Sequence, residues 1–137
     1  KNYDVKNICC MYATSAFATI DDLTKGFNKI NRTKWKYAFS ATDFGYPIHR
    51  SMKIQKNGGV KMFFQENFKA RSQDLENAIH DAAQFYWASS NTWLEKVEIF
   101  GSKSYPIMIP RWRTQDIDTQ EDWQRAELIY KQISNKK

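Results

Sequence analysis

The chain has 137 residues, 42% of them hydrophobic, and a net charge of +6. This length fits one domain, and the hydrophobic share excludes a chain that stays disordered. No apolar run is long enough to cross a bilayer, and the lysines are scattered without the basic helix or aromatic motif of a nucleic-acid-binding protein. We therefore expect no membrane partner and no nucleic-acid partner.

The cysteines are neighbours in the sequence, Cys9 and Cys10. Adjacent residues of a strand point to opposite faces and rarely form a disulfide with each other. No second cysteine pair completes a zinc site. Two free thiols predict a cytoplasmic protein, where the compartment keeps thiols reduced.

The first third of the chain predicts a strand, a helix and a second strand. The apolar run 7–13 (NICCMYA) is typical of a strand buried on both faces, as in a parallel sheet. Thr19 and Asp22 form a capping box, so a helix should follow. Its apolar residues would share one stripe: Ile20, Leu23, Phe27 and Ile30. The second strand is predicted at 36–42 (KYAFSAT), and this order indicates a right-handed crossover in an α/β sheet.

The middle of the chain predicts a hairpin inserted into this sheet. Apolar and polar residues alternate on both sides of Asn57-Gly58-Gly59, a sequence that favours a tight turn. We expect the insertion to occupy about 46–75, within one domain that covers 1–137. A returning strand is predicted at 82–88 (AAQFYWA).

The last third predicts a helical turn, short strands and a final helix. Ser90 or Asn91 would cap the turn, and one or both of VEIFG and YPIMIP would be extended. The final helix should begin at about Thr119, with Asp122 completing a second capping box. Its apolar residues would again form one stripe: Trp123, Ala126, Tyr130 and Ile133.

Asp116 and Asp118 stand two residues apart just before this helix. On an extended segment both carboxylates would face one way, about 6–7 Å apart, with Ile117 facing the core. Two anions at that distance repel unless a cation lies between them, and Mg²⁺ is usually held by one or two carboxylates plus substrate phosphate. The alternative is that Asp118 only caps the helix and that Asp116 is a solvated loop residue.

The stretch QDIDTQEDWQRAELIY resembles the carboxy-terminal motif of the acylneuraminate cytidylyltransferases. MYATSAF, YAFSATDFGYPIHR and RSQDLENAIHDAAQFYW agree with further motifs of this family, in the same order. Together they are most similar to its pseudaminic acid branch. The resemblance implies a doubly wound, Rossmann-like nucleotidyltransferase fold with an inserted β-hairpin that dimerises. It also implies the reaction: the sugar acid attacks the α-phosphate of CTP, pyrophosphate leaves, and Mg²⁺ is the cofactor.

The resemblance also assigns residues. Asp116 and Asp118 match the family's metal ligands. Thr14 and Ser15 match a loop at the sugar acid, although their hydroxyls could instead bond the loop's own backbone. Arg71 matches an arginine that could clamp a carboxylate, unless it is a surface arginine.

Further matched positions lie nearby in the sequence. Gln73 would bind substrate or only support its loop. Asp81 and Gln84 would contact sugar hydroxyls or satisfy buried backbone. Aromatic residues of the returning strand would wall the sugar pocket or belong to the core: Phe85, Tyr86 and Trp87.

The family's Gly-rich basic loop, which holds the CTP phosphates, has no counterpart in this sequence. We therefore expect the chain to be the C-terminal part of such an enzyme and to be inactive alone. A sheet without its first strands would expose an unpaired edge, so we also expect a homodimer, through the hairpin 50–64, the open edge or both.

Two other readings are open. A metal-dependent glycosyltransferase would also use a D-x-D motif, although there the motif usually follows a strand in mid-chain. A non-catalytic binding or dimerisation module would keep the shape of the family without its chemistry.

Overall fold

The computed structural model describes residues 4–134, which divide into two compact units. The larger unit holds the described residues up to Thr42 and from Asp81 onward, and the smaller unit is Asp43–His80. In chain order the strands are β1 (Asn7–Met11), β2 (Tyr37–Asp43), β3 (Met52–Ile54), β4 (Val60–Met62), β5 (Ile79–Ser89) and β6 (Ser104–Met108). The α-helices are α1 (Ile20–Arg32), α2 (Ser90–Leu94) and α3 (Gln120–Ser134).

The main sheet is mixed and has the order β1-β5-β2-β6. β1 runs antiparallel to β5, and β2 runs parallel to β6. The prediction that β1 is buried on both faces is wrong, because β1 lies at the edge of the sheet and alternates between half-buried and exposed residues. Burial of this kind is found in β2, whose residues 37–42 are all buried between two neighbouring strands.

The core occupies both faces of the sheet. Ala38 and Phe85 belong to a cluster on which Leu23 of α1 packs. Phe39 and Tyr86 belong to a second cluster, with Trp93 packed against it. Neighbouring residues of β2 thus enter different clusters, as the alternation of a strand requires.

Helix α1 begins as predicted, at the capping box. The Asp22 N–H donates to the Thr19 hydroxyl at 3.2 Å, and the Asp22 carboxylate accepts the Thr19 N–H at 3.2 Å. Phe27 packs edge-on against Trp87, but Ile20 is 84% exposed and was wrongly placed in the buried stripe.

Gly26 brings α1 close to the sheet. A Cβ atom at this position would lie 2.6 Å from Cδ1 of Trp87 and 3.2 Å from Cε2 of Phe85. Only a residue without a side chain lets the helix approach β5 this closely.

The smaller unit contains the predicted hairpin. β3 and β4 are antiparallel, with Met52 opposite Met62 and Ile54 opposite Val60. Gly58 has φ +84, a backbone conformation that glycine adopts without strain. The Arg50 guanidinium donates to the carbonyl oxygens of Phe68, at 2.8 Å, and Ala70.

The remaining elements differ from prediction in detail. Helix α2 is capped by Ser89, whose hydroxyl accepts the Thr92 N–H at 3.1 Å, and not by Ser90 or Asn91. YPIMIP supplies β6, as predicted for one or both of these apolar segments, whereas VEIFG is not part of a strand. Within residues 4–134, no helix has the length and apolar character needed to span a membrane.

Candidate functional site

The loop after β1 is fixed to β5 through Ser15. The Ser15 hydroxyl lies 2.6 Å from the carbonyl oxygen of Tyr12 and 2.5 Å from that of Gln84. The Thr14 carbonyl accepts the Ala16 N–H at 2.7 Å within the same loop. Ser15 therefore bonds backbone, as its alternative reading required, and a ligand role for Thr14 and Ser15 stays a prediction.

Strand β5 is distorted where the predicted sugar contacts lie. Ala83 has φ 50, in the left-handed region that alanine rarely adopts. Next to it, the Gln84 and Phe85 N–H groups donate to the buried Ser40 hydroxyl, at 3.0 and 3.2 Å. The Asp81 carboxylate accepts the Ala83 N–H at 2.9 Å. Side chains of β2 and β5 thus replace the backbone partners that a regular strand would have.

Asp81 and Tyr86 meet beside Tyr12. The Tyr86 hydroxyl donates to the Asp81 carboxylate, and the rings of Tyr86 and Tyr12 lie 5.5 Å apart. Burial, the hydrogen bond with Asp81 and the contact with Tyr12 raise the pKa of Tyr86 above its usual value. Tyr86 is therefore a neutral hydrogen-bond donor at physiological pH. Phe85 is fully buried in the core.

Gln84 connects β5 to the loop before α3. Its side chain is 3% exposed, and Nε2 donates to the carbonyl oxygen of Arg113 at 2.7 Å. Oε1 has no hydrogen-bond partner within the described residues. The buried side-chain amide of Gln84 thus donates to a backbone carbonyl, as one of the two interpretations of Gln84 expected. Its oxygen remains an acceptor without a described partner.

Arg113 forms a buried ion pair with Asp22. Nη1 donates to Oδ2 of Asp22 at 2.5 Å, Nη2 donates to Oδ1 at 3.2 Å, and the two side chains are 14% and 4% exposed. Burial opposes the charge of Asp22, but the hydrogen bonds from Arg113 and Thr19 and the charge of Arg113 outweigh it and hold the pKa of Asp22 below its ordinary value. Asp22 is therefore ionised while it caps α1.

Asp116 and Asp118 lie in a loop between the 3-10 turn Arg111–Arg113 and α3, so the pair does not follow a strand end directly. Both aspartates are exposed, and Ile117 between them is half-buried. Oδ1 of Asp116 accepts the N–H of Ile117 at 3.1 Å.

The carboxylate of Asp122, four residues after Asp118, has another role. It accepts the N–H groups of Thr119 and Asp118 at 3.0 and 3.3 Å, as the predicted capping box requires. Within residues 4–134, no cluster of three or more histidine, cysteine or acidic residues is arranged to hold a metal. Two exposed carboxylates fit Mg²⁺, which keeps several waters and takes the rest of its ligands from substrate phosphates.

A groove of about 310 Å³ opens between the loop after β1 and α3. Its walls are mainly apolar: Ala16, Phe17, Ile117, Trp123, Ala126, Glu127, Tyr130 and Lys131. Trp123 and Tyr130 line this groove and are 52% and 63% exposed, so the predicted apolar stripe of α3 is not buried at these two positions. Asp116 and Asp118 are the sequence neighbours of Ile117, which lines this groove.

Arg71 and Gln73 belong to the smaller unit. Both are exposed, and the Arg71 guanidinium donates to the Asp74 carboxylate at 2.8 and 3.2 Å. A substrate carboxylate would share Arg71 with Asp74 or replace it. The role of both residues stays a prediction.

Known proteins that are similar to this chain are named as pseudaminic acid cytidylyltransferases. The chain is 39% identical over 131 residues to a pseudaminic acid cytidylyltransferase of Campylobacter jejuni, a match that covers 96% of the chain and 56% of that enzyme. The chain resembles the pseudaminic acid cytidylyltransferases over almost its whole length. A protein of the same name from a second C. jejuni strain is 38% identical over the same shares.

A third relative comes from Helicobacter pylori. It is named both as a pseudaminic acid cytidylyltransferase and as a UDP-2,4-diacetamido-2,4,6-trideoxy-beta-L-altropyranose hydrolase, and it is 30% identical over 80% of the chain and 21% of its own length. No protein-family model matches the chain. The chain spans about half the length of the C. jejuni cytidylyltransferases, which is consistent with a match to one part of them.

The part that resembles the cytidylyltransferases contains interactions that the sequence did not reveal. Asp22 was recognised only as a capping residue, and Arg113 was not singled out, although it lies two residues before the stretch that carries the aspartate motif. Ser40 was interpreted only as part of the second predicted strand. A polar residue at a position buried on both faces was the available signal, because such a hydroxyl needs a partner.

Proposed function

We propose that the chain is the sugar- and metal-binding part of a cytidylyltransferase, which transfers CMP from CTP to a sialic-acid-like nine-carbon sugar acid and releases pyrophosphate. Pseudaminic acid or a close relative is the proposed sugar. The similarity to two C. jejuni cytidylyltransferases over 96% of the chain carries this proposal. Since no Gly-rich basic loop is present in the sequence, we expect the isolated chain to bind sugar acid without turning over CTP.

We assign the metal and the sugar to two different sets of residues. Asp116 and Asp118 would hold Mg²⁺, which supplies positive charge against the triphosphate when it is bound. The Asp81 carboxylate, oriented by the Tyr86 hydroxyl that donates to it, would offer its remaining acceptor positions to sugar hydroxyls beside the loop of Thr14 and Ser15. Such a site works by orienting two reactants and by balancing charge.

The metal assignment is tested by titrating Mg²⁺ into the chain and following the heat. Asp118→Asn should remove most of the binding, because the amide keeps the shape and loses the charge. Asp21→Asn is the matched control, since Asp21 is an exposed aspartate that pairs with Lys25 on α1. Identical heats from wild type and Asp118→Asn would contradict the metal assignment.

The sugar assignment is tested by titrating pseudaminic acid and following tryptophan fluorescence. Tyr86→Phe should weaken binding, since it removes one hydroxyl from the network with Asp81. Tyr37→Phe is the control, because Tyr37 is equally buried but packs against Trp93. Equal affinities of the two variants would refute a sugar site at Tyr86.

We also propose a homodimer formed through the hairpin of the smaller unit. Its two strands expose apolar side chains at Met52, Ile54 and Val60, with exposed fractions of 58%, 81% and 64%. Ile54→Asp should convert a dimer into a monomer in size-exclusion chromatography with light scattering, whereas Lys53→Asp should have a smaller effect. A wild-type chain that is monomeric at every concentration would rule out this interface.

We place the protein in the cytoplasm. Cys9 and Cys10 are both free thiols in the structure. A reducing compartment is where neighbouring thiols persist unpaired.

A further inference from the structure

Arg113 is held at both of its ends. Its guanidinium donates two hydrogen bonds to the Asp22 carboxylate and a third, at 3.1 Å, to the carbonyl oxygen of Phe17. Its own carbonyl oxygen accepts Nε2 of Gln84 at 2.7 Å. The backbone of Arg113 is therefore positioned by α1, by the loop after β1 and by β5 together.

These contacts form a continuous connection from the predicted sugar loop to the loop before α3. The Ser15 hydroxyl bonds the backbone carbonyl of Gln84, and the side chain of Gln84 bonds Arg113. Asp116 and Asp118 follow Arg113 by three and five residues. A short loop that begins at a fixed backbone position has few conformations available to it.

We propose that the Asp22–Arg113 pair is the positioning element for Asp116 and Asp118, so that it sets the affinity of the metal site without contacting the metal. The inference rests on the proposed function, because it presupposes that these aspartates bind a divalent cation. Groups that hydrogen-bond metal ligands usually change metal affinity by about 10- to 100-fold when they are removed. The Asp22–Arg113 pair would act through the loop backbone and not on the carboxylates themselves, so we expect a loss at the lower end of that range.

The charge of Arg113 allows positioning to be separated from electrostatics. A guanidinium near a cation site repels the cation, so removing its charge alone would tighten binding. Losing the position of the loop would weaken binding. The two effects have opposite signs, and Arg113→Lys isolates the second because lysine keeps the charge but cannot form the paired hydrogen bonds.

The experiment measures Mn²⁺ affinity of the whole chain by water-proton relaxation, with circular dichroism confirming that each variant is folded. Arg113→Lys and Arg113→Met should both bind Mn²⁺ at least about tenfold more weakly than wild type. Gln84→Met should also weaken binding, since it removes the contact at the other end of Arg113 without changing any charge. Lys25→Met is the control: it removes a cation from an exposed pair on α1 and should leave the affinity unchanged.

Unchanged affinity in Arg113→Lys, or tighter binding in Arg113→Met, would overturn the inference while the metal site itself stands. If the Arg113 variants do not fold, Gln84→Met decides, and an affinity equal to wild type overturns the inference. Absence of Mn²⁺ binding in wild type would instead contradict the proposed function, together with everything that rests on it.

Discussion

Ala83 gives the most specific stability prediction. Its φ of 50 places an alanine in the left-handed region within β5, next to Gln84. For residues with a Cβ atom this conformation costs about 1–2 kcal/mol, and glycine adopts it freely. Replacing Ala83 with glycine should therefore stabilise the protein, although glycine inside a strand is usually destabilising.

The magnitude follows from two opposing effects. Relief of the backbone contributes about 1–2 kcal/mol, while the greater freedom of glycine in the unfolded chain costs about 0.5–1 kcal/mol. The difference of the two ranges is about 0–1.5 kcal/mol, and its midpoint of about 0.7 kcal/mol is the expected net gain in the free energy of unfolding. For a chain of this length, that gain corresponds to a Tm higher by roughly 1–5 °C.

Urea unfolding followed by circular dichroism measures the effect, and the neighbouring alanine supplies the control. Ala82 is 4% exposed and has no positive φ, so Ala82→Gly should lose stability. Ala83→Val should destabilise as well, because a β-branched residue tolerates positive φ poorly. If Ala83→Gly loses as much stability as Ala82→Gly, the left-handed conformation of residue 83 is wrong.

Further predictions concern buried groups. Ser40→Ala should lower the free energy of unfolding by about 1–3 kcal/mol for each N–H that it leaves without a partner. Ser104→Ala is the control and should be close to neutral, because the buried Ser104 hydroxyl bonds no described group. Urea unfolding of the two variants measures the difference. Gly26→Ala should cost about 1–3 kcal/mol by forcing α1 away from Trp87, and a Tm equal to wild type would contradict that close approach. The lowered pKa of Asp22 stabilises the fold fully above its ordinary value of 3.8, and this contribution is lost as the pH falls through the lower folded pKa. Asp22→Asn should therefore be less stable than wild type at pH 7, with a difference that shrinks in acid; a difference independent of pH would count against the ionised pair.

The sequence predicted those features that depend on near neighbours in the chain. Both capping boxes join residues three apart, and the turn at Gly58 requires a residue that tolerates positive φ, so local chemistry determines them. The resemblance to the cytidylyltransferases was likewise visible, because short motifs such as QDIDT carry it.

The features that the sequence missed depend on distant parts of the chain. The exposed side of β1 follows from its place at the edge of the sheet, and a short apolar run does not encode strand order. Arg113 pairs with the Asp22 carboxylate, which lies 91 residues earlier in the chain, so no local spacing in the sequence reveals the pair. Ala83 adopts its conformation because Ser40 and Asp81 bond the N–H groups around it, and alanine itself gives no sign of a positive φ.

The separation of 91 residues between Asp22 and Arg113 has a consequence for the order of folding. Closing so long a loop costs conformational entropy. Few contacts offset this cost until β1, β2, β5 and β6 have assembled. We therefore expect the pair to form after the transition state, so that its loss accelerates unfolding and leaves the refolding rate nearly unchanged. The aspartate loop would then be among the last parts of the chain to reach its native arrangement.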